Sequence, residues 1–395
     1  MSSQSFVFRL SVWIALIGVI YQVAPGDRSW STLQEHVPEH PLPPIGQNYE
    51  YQLQYFLGGD GITKLAGRFY PPDTIIKDAG AGTGDEETNV ASADNSSKSP
   101  IIVMAHGLGL TQDCNLDAFI PAFRQAGMAV FTFDYATFGW SEGWPRHQVI
   151  PNRHVADLRA ALKHVRTTLS EKVDIHRLAL WGTSLGGGHV LSVAADDHDV
   201  RAVVANVPHV KSALESILGT VQRDPGVATL GLLKVAGALI KGVVNFIVGF
   251  ATKKDGTTYI PLHGLPGSAA IMQNPGDDEG YGRLVNSLPK DLQWKNRASV
   301  SSVVPLLLYR PYNSVQAITS PTLLLPAELD TLCPAAGSQA AAQLLGPNIS
   351  KLVLLKGLAH FDMYEGEALQ LVLKETVAFL REHLGIAKSE KTQEG

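Results

Sequence analysis

Cysteine is almost missing from this chain: Cys114 and Cys333 are the only two among 395 residues. Two thiols cannot build a disulfide framework, and their spacing matches no zinc pattern, so they read as free thiols. Charge of either sign is also in short supply, with 17% charged residues, a net charge of −5 and no dense Lys/Arg stripe. That excludes the electrostatic footprint of a nucleic-acid partner. No internal repeat occurs, which excludes solenoid and propeller architectures. Apolar content is ordinary at 45%, and a chain this long can bury a sizeable core.

Residues 6–24 are apolar apart from Arg9, Ser11 and Gln22. As a helix they would span about 28 Å, close to the hydrocarbon thickness of a bilayer. A single N-terminal membrane anchor is the first expectation, a cleaved secretory signal the second and a soluble extension the third. Residues 25–47, with "HPLPPIG", form a lead-in. Residues 49–57 alternate polar and apolar side chains and pair across "GGDG" with "ITKLAGRFYPP" as a hairpin. Residues 77–99 are rich in Gly, Ser, Ala and acid and poor in large apolar side chains, the composition of a disordered loop.

After Pro100 the rhythm changes. "IIVMAH", "AVFTFDY", "LALWG" and "AVVANV" are short, nearly continuous apolar runs, as expected of strands buried on both faces. Helical patterns such as residues 155–169 separate them, which predicts a mostly parallel, doubly wound α/β sheet. The alternation lapses over 208–310, where residues 230–254 read as an apolar helix, and this stretch is assigned as a helical cap insertion. It resumes with "PTLLLPAELD", a helix near 335–345, the strand "KLVLLKG" and a terminal helix near 367–384. The expected organisation is a hydrophobic segment over 1–24, the lead-in, a core formed by 48–207 and 311–385, the cap over 208–310, and a tail over 386–395.

The chemistry centres on Gly182-Thr183-Ser184-Leu185-Gly186, where a strand must turn sharply into a helix. Such a turn forces its middle residue into a strained conformation and needs minimal side chains two positions away on either side. The serine hydroxyl is thereby left clear at the carboxyl edge of the sheet, where open α/β sheets bind ligands. In this context the pattern matches a nucleophile elbow. A serine needs a base, and the base needs an orienting acid, in the chain order Ser, acid, His. "PAELDTLCP" supplies Asp330, with Glu328 as the alternative nearer the strand, and "LKGLAHFDMYEG" supplies His360 after the last strand. Oxyanion donors are expected from the N–H groups of Leu185 and of Leu108, in the loop His106-Gly107-Leu108-Gly109. His106 reads as structural, His189 as a buried residue facing away from the hydroxyl, and His209 as a substrate contact at the sheet edge.

From about residue 49 to 384 these features resemble the α/β-hydrolase superfamily. "FDYATFGWSEG", "LALWGTSLGGGHV", "YRPYNS" and "HFDMYEG" are similar to fungal polyketide transferases and thiohydrolases and to bacterial hydrolases related to X-Pro dipeptidyl peptidases. The resemblance implies an α/β-hydrolase fold and a triad of Ser184, Asp330 and His360 with no metal or organic cofactor. It also implies an acyl chain taken from a polyketide synthase thioester, hence a carrier domain as partner, and passed to water or an alcohol. One departure concerns substrate scope: Asp134 is followed by Tyr135-Ala136-Thr137-Phe138-Gly139 where the group usually reads Asp-x-Arg-Gly-x-Gly. The expected function is therefore a serine-dependent acyl hydrolase or acyltransferase acting on an apolar small-molecule thioester or ester. The alternatives are a membrane-associated carboxylesterase of general specificity and a catalytically silent binding protein on the same fold.

Overall fold

The structure is a computed structural model that describes residues 51–73, 98–114, 116–212, isolated positions between 226 and 244, and 258–286, 288 and 294–387. The expected anchor, the lead-in, most of the 77–99 loop and most of the 386–395 tail lie outside the described residues. The loop's last residue is already strand: Ser99 opens β3.

An antiparallel hairpin of β1 (Gln52–Leu57) and β2 (Lys64–Tyr70) forms one edge of an eight-stranded sheet. It is followed by β3 (Ser99–Ala105), β4 (Ala129–Phe133), β5 (Val173–Thr183) and β6 (Ala202–Asn206). A two-stranded ribbon of β7 (Tyr259–Ile260) and β8 (Ala298–Ser299) stands apart, and β9 (Thr322–Leu325) and β10 (Ser350–Leu352) complete the main sheet. The strand order is β1-β2-β4-β3-β5-β6-β9-β10, with every pairing from β4 to β10 parallel.

Strands β3 to β5 show why the runs are continuously apolar. Ile101, Val103, Phe131, Leu178 and Leu180 face one buried layer, while Ile102, Met104, Val130, Ala179 and Trp181 face the other. With helices on both faces there is no solvent side to carry polar residues. The first layer is covered by α2 (Pro151–Thr168) and α3 (Leu185–Ala194), and the second by α1 (Ile120–Gln125) and the terminal helix described below. Pro151 fits the first helical position, where its missing N–H costs nothing, and Val155, Leu158, Leu162 and Val165 form the inward stripe of α2.

The sheet's first parallel crossover runs from β3 outward to β4, and the next returns over β3 to β5. Strand order therefore reverses between β3 and β5, which opens a crevice at their carboxyl ends. The loop 106–110 and Ser184 both emerge there.

The segment between β6 and β9 is the one read as a helical cap insertion. Its described part contains the β7–β8 ribbon as well as α4 (Asp277–Asn286) and α5 (Val303–Leu308). Most of the 230–254 helical pattern lies outside the described residues. Beyond β9, α6 (Ala335–Leu345) and α7 (Gly366–His383) match the expected helices, but "KLVLLKG" forms regular strand only to Leu352. Past that point β9 has already ended, at Leu325, and a single bridge between Ala327 and Leu355 continues the pairing.

Candidate active site

Ser184 takes φ 56° and ψ −121°, a region normally left to glycine. The turn is held by three backbone bonds, two of them from the end of β6 and the loop after it and one from α3 itself. Ser184 N–H donates to the Asn206 carbonyl at 2.9 Å, and its own carbonyl accepts from His209 N–H at 2.8 Å and Gly188 N–H at 3.3 Å. The flanking glycines are required by close approach. A Cβ on Gly182 would lie 2.3 Å from the Gly186 carbonyl oxygen, and one on Gly186 would lie 2.3 Å from the Ala105 oxygen. Gly186→Ala would push α3 away from β3, so it is expected to destabilise the fold by about 2 kcal/mol or more. A fall in melting temperature together with weaker labelling of Ser184 by a serine-directed probe checks this.

His360 lies in the loop before α7, with Nε2 3.0 Å from Ser184 Oγ and Nδ1 2.6 Å from Asp330 Oδ2. The other carboxylate oxygen, Oδ1, accepts the N–H groups of Leu332 and Cys333 at 2.8 and 2.7 Å, which fixes the acid's orientation. Asp330 and His360 are both buried, while Glu328 is exposed and accepts the Gly357 N–H. The structure thus pairs His360 with Asp330 rather than with Glu328. Burial disfavours the imidazolium, but the adjacent Asp330 carboxylate outweighs it and holds His360 well above its ordinary value.

Leu185 is the first residue of α3, where a backbone N–H has no acceptor within the helix. Leu108 sits in the loop after β3, and Gly107 packs so closely on the elbow that a Cβ there would lie 3.3 Å from Ser184 Cβ. His106 turns Nδ1 to the Gly107 carbonyl, and His189 is buried with Nδ1 2.9 Å from the Tyr309 hydroxyl, as expected for two structural histidines. His209 is also buried. Its ring stacks on Tyr309, its Nε2 is 3.3 Å from the Tyr309 carbonyl, and it lies close enough to feel the charge of His360.

Three neighbours of this group carried no signal of their own in the sequence. Tyr281, from α4, donates its hydroxyl to the Leu108 carbonyl at 2.8 Å, and Trp294 donates its indole N–H to the Gly109 carbonyl at 3.1 Å. Asp277, at the start of α4, is buried, and that burial pushes its carboxyl up to about 7. Asp134 explains the unusual loop after β4. Its carboxylate accepts from Gln112 N–H, Gln112 Nε2 and Trp140 N–H, so it serves as an internal clasp.

A reversed-order parallel sheet with a strained serine at its crevice and a buried His–Asp pair beside it defines the α/β-hydrolase class. Residues 96–244 match the family described as serine aminopeptidase, S33. Quorum-quenching protein AidA of Acinetobacter baumannii is 31% identical over 282 residues, covering 71% of this chain and 86% of that protein. A polyketide transferase of Aspergillus fumigatus is 27% identical over 73% of this chain and 91% of its own length. A thiohydrolase of Eupenicillium brefeldianum is 22% identical over 72% and 87% respectively. Among solved structures, DcsB in complex with its substrate analogue shares the fold at a TM-score of 0.63, with 22% identity over 85% of this chain and 99% of that one. The chain belongs to the α/β-hydrolase family, whose relatives here support a hydrolase or acyltransferase activity. The resemblance to polyketide transferases and thiohydrolases holds.

Proposed function

We propose that this protein is a serine-dependent enzyme that cleaves or transfers an apolar acyl group carried as a thioester or ester, a polyketide chain on a carrier domain being the leading donor. The observation that carries the reading is the continuous line from Ser184 Oγ through His360 to Asp330, with gaps of 3.0 and 2.6 Å. Ser184 Oγ attacks the acyl carbonyl while His360 Nε2 takes its proton, and Asp330 steadies the imidazolium. The Leu108 and Leu185 N–H groups stabilise the oxyanion. As the tetrahedral intermediate collapses, the bond from carbon to sulfur (or to the ester oxygen) breaks and His360 returns the proton to the leaving group. Water or an alcohol then attacks the acyl-serine by the reverse sequence. His209, near the charge of His360, is proposed to line the substrate's approach.

Intact-protein and peptide mass spectrometry after incubation with long-chain acyl thioesters tests this. An acyl adduct on Ser184, with higher kcat/KM for thioesters than for matched oxygen esters, is the expected result. An adduct at another residue would end the proposal, and a clear preference for oxygen esters would favour the carboxylesterase reading.

Tyr281 and Trp294 are positioning residues in this scheme, because they hold the carbonyls of the loop that presents Leu108. Tyr281→Phe and Trp294→Phe should each lower kcat by about tenfold with KM nearly constant, since oxyanion donors act mainly in the transition state. A matching rise in KM would instead indicate a substrate contact.

Residues 6–24 are proposed as a membrane anchor. Among the described residues no helix is long and apolar enough to cross a membrane. Deleting residues 1–24 should move the protein from the carbonate-washed membrane pellet to the supernatant.

A further inference from the structure

Cys333 lies three residues after Asp330, and its thiol is turned back into the same space as His360. It is buried, and its sulfur lies within 4.8 Å of a His360 ring nitrogen and an Asp330 carboxylate oxygen. Asp330, Cys333 and His360 each offer one ligand atom, and these three atoms lie within 4.8 Å of one another. We propose that this trio is an inhibitory site for a thiophilic divalent cation such as zinc, mutually exclusive with turnover at Ser184.

The donor chemistry fits that ion class. Thiolate, imidazole and carboxylate are the three ligand types zinc takes, at about 2.0 to 2.3 Å, with a fourth tetrahedral position left for water or the Ser184 hydroxyl. To share one ion the most distant pair, at most 4.8 Å apart, closes by about 1 Å. His360 Nδ1 and Asp330 Oδ2, now 2.6 Å apart, open to about 3 Å as their hydrogen bond gives way to the metal. Charge also balances: a thiolate and a carboxylate, each costly to bury unpaired, are together neutralised by one divalent cation. On binding, the Cys333 thiol proton leaves to solvent and no electron is transferred. Access is by the opening through which substrate reaches Ser184, which is itself partly exposed.

The inhibition follows from the imidazole and rests on the proposed role of His360 as base. If the cation takes Nε2, the lone pair that would accept the Ser184 proton is used. If it takes Nδ1, the remaining ring proton is forced onto Nε2, with the same consequence. In the metal-free protein the thiol does not compete with Ser184 as nucleophile, because burial pushes its ionisation up.

The test uses the full chain and cobalt(II) as a spectroscopic stand-in for zinc. Wild type should show a near-ultraviolet sulfur-to-cobalt charge-transfer band at one equivalent, and zinc should suppress turnover reversibly, with EDTA restoring it. Cys333→Ser, which nearly preserves shape, should lose the band and raise the half-inhibiting zinc concentration about tenfold or more, each variant being scored against its own rate in EDTA. Cys333→Ala provides a second variant, and Cys114→Ser should keep the band. Absence of the band in wild type, or a band or inhibition unchanged in Cys333→Ser, overturns the site. A band without inhibition overturns the exclusivity. Ser184→Ala should retain the band, so the metal result stands apart from any failure of the acyl-transfer reading.

Discussion

Ser184→Ala is expected to lower kcat/KM by about ten-thousandfold to a millionfold and to abolish labelling by a fluorophosphonate probe. The size of the effect follows from geometry. Ser184 is the hydroxyl 3.0 Å from His360 Nε2, presented there by a turn with φ 56°. His360→Ala should fall to nearly the same residual rate, and the Ser184→Ala/His360→Ala pair should fall no further, because residues acting as one unit are not additive. Additive losses would mean that the two side chains work independently. Asp330→Asn should cost about ten-thousandfold, since the amide favours the wrong imidazole tautomer. It should also move the acidic limb of the rate profile down. His360 must be neutral to accept a proton, and the Asp330 carboxylate holds its ionisation well above the ordinary value. Removing that charge lets the imidazole deprotonate at lower pH. An unmoved limb in the Asn variant would separate the limb from His360.

The parts of this arrangement legible in the sequence were those fixed by the backbone. Continuous apolar runs mark strands covered on both faces, and Gly182 and Gly186 mark a turn that admits no Cβ. Chain order then leads to the loops after β9 and β10, where Asp330 and His360 sit. What was not legible depends on how separate loops meet. Tyr281 and Trp294 reach carbonyls 173 and 185 residues away, and nothing local to "DDEGYGRL" or "DLQWKN" announces that contact. Cys333 looked like an ordinary thiol, because its approach to His360 depends on Asp330 Oδ1 gathering the two N–H groups that follow it. The β7–β8 ribbon was missed because two-residue strands carry too little periodicity to read.

Acidification to pH 5 should lower the melting temperature by about 10 °C relative to pH 7. Behind the elbow, His106 packs 4.5 Å from Tyr135, and His154 stacks on the same ring at 4.2 Å. His189 lies 5.5 Å from His154 and 5.2 Å from Tyr309, on which His209 stacks from beyond. Burial pushes His106 and His209 down to about 4, and His154 and His189 lie well below their ordinary value for the same reason, with neighbouring imidazoles adding to the effect at His154 and His189. The unfolded chain binds these protons near pH 6.5 and the folded one does not, so stability is lost as pH falls from 6.5 toward 4. His106 and His209 each contribute about 2 kcal/mol of that loss by pH 5, and His154 and His189 act in the same direction. Two carboxyls and His360 work in the opposite direction, His360 because the Asp330 carboxylate holds its ionisation well above the ordinary value. Burial pushes Asp157 up to about 6 and Asp277 up to about 7, so both take up protons in the folded state first and return part of the loss. Four imidazoles outweigh these three groups over this window, leaving a net deficit of a few kcal/mol against a typical total of about 5 to 15. His154→Phe keeps the stacked ring and removes one titrating group, so its melting temperature should fall less between pH 7 and 5. Scanning calorimetry across that range decides the matter, and a flat wild-type profile would show that the buried imidazoles accept protons without opening the fold.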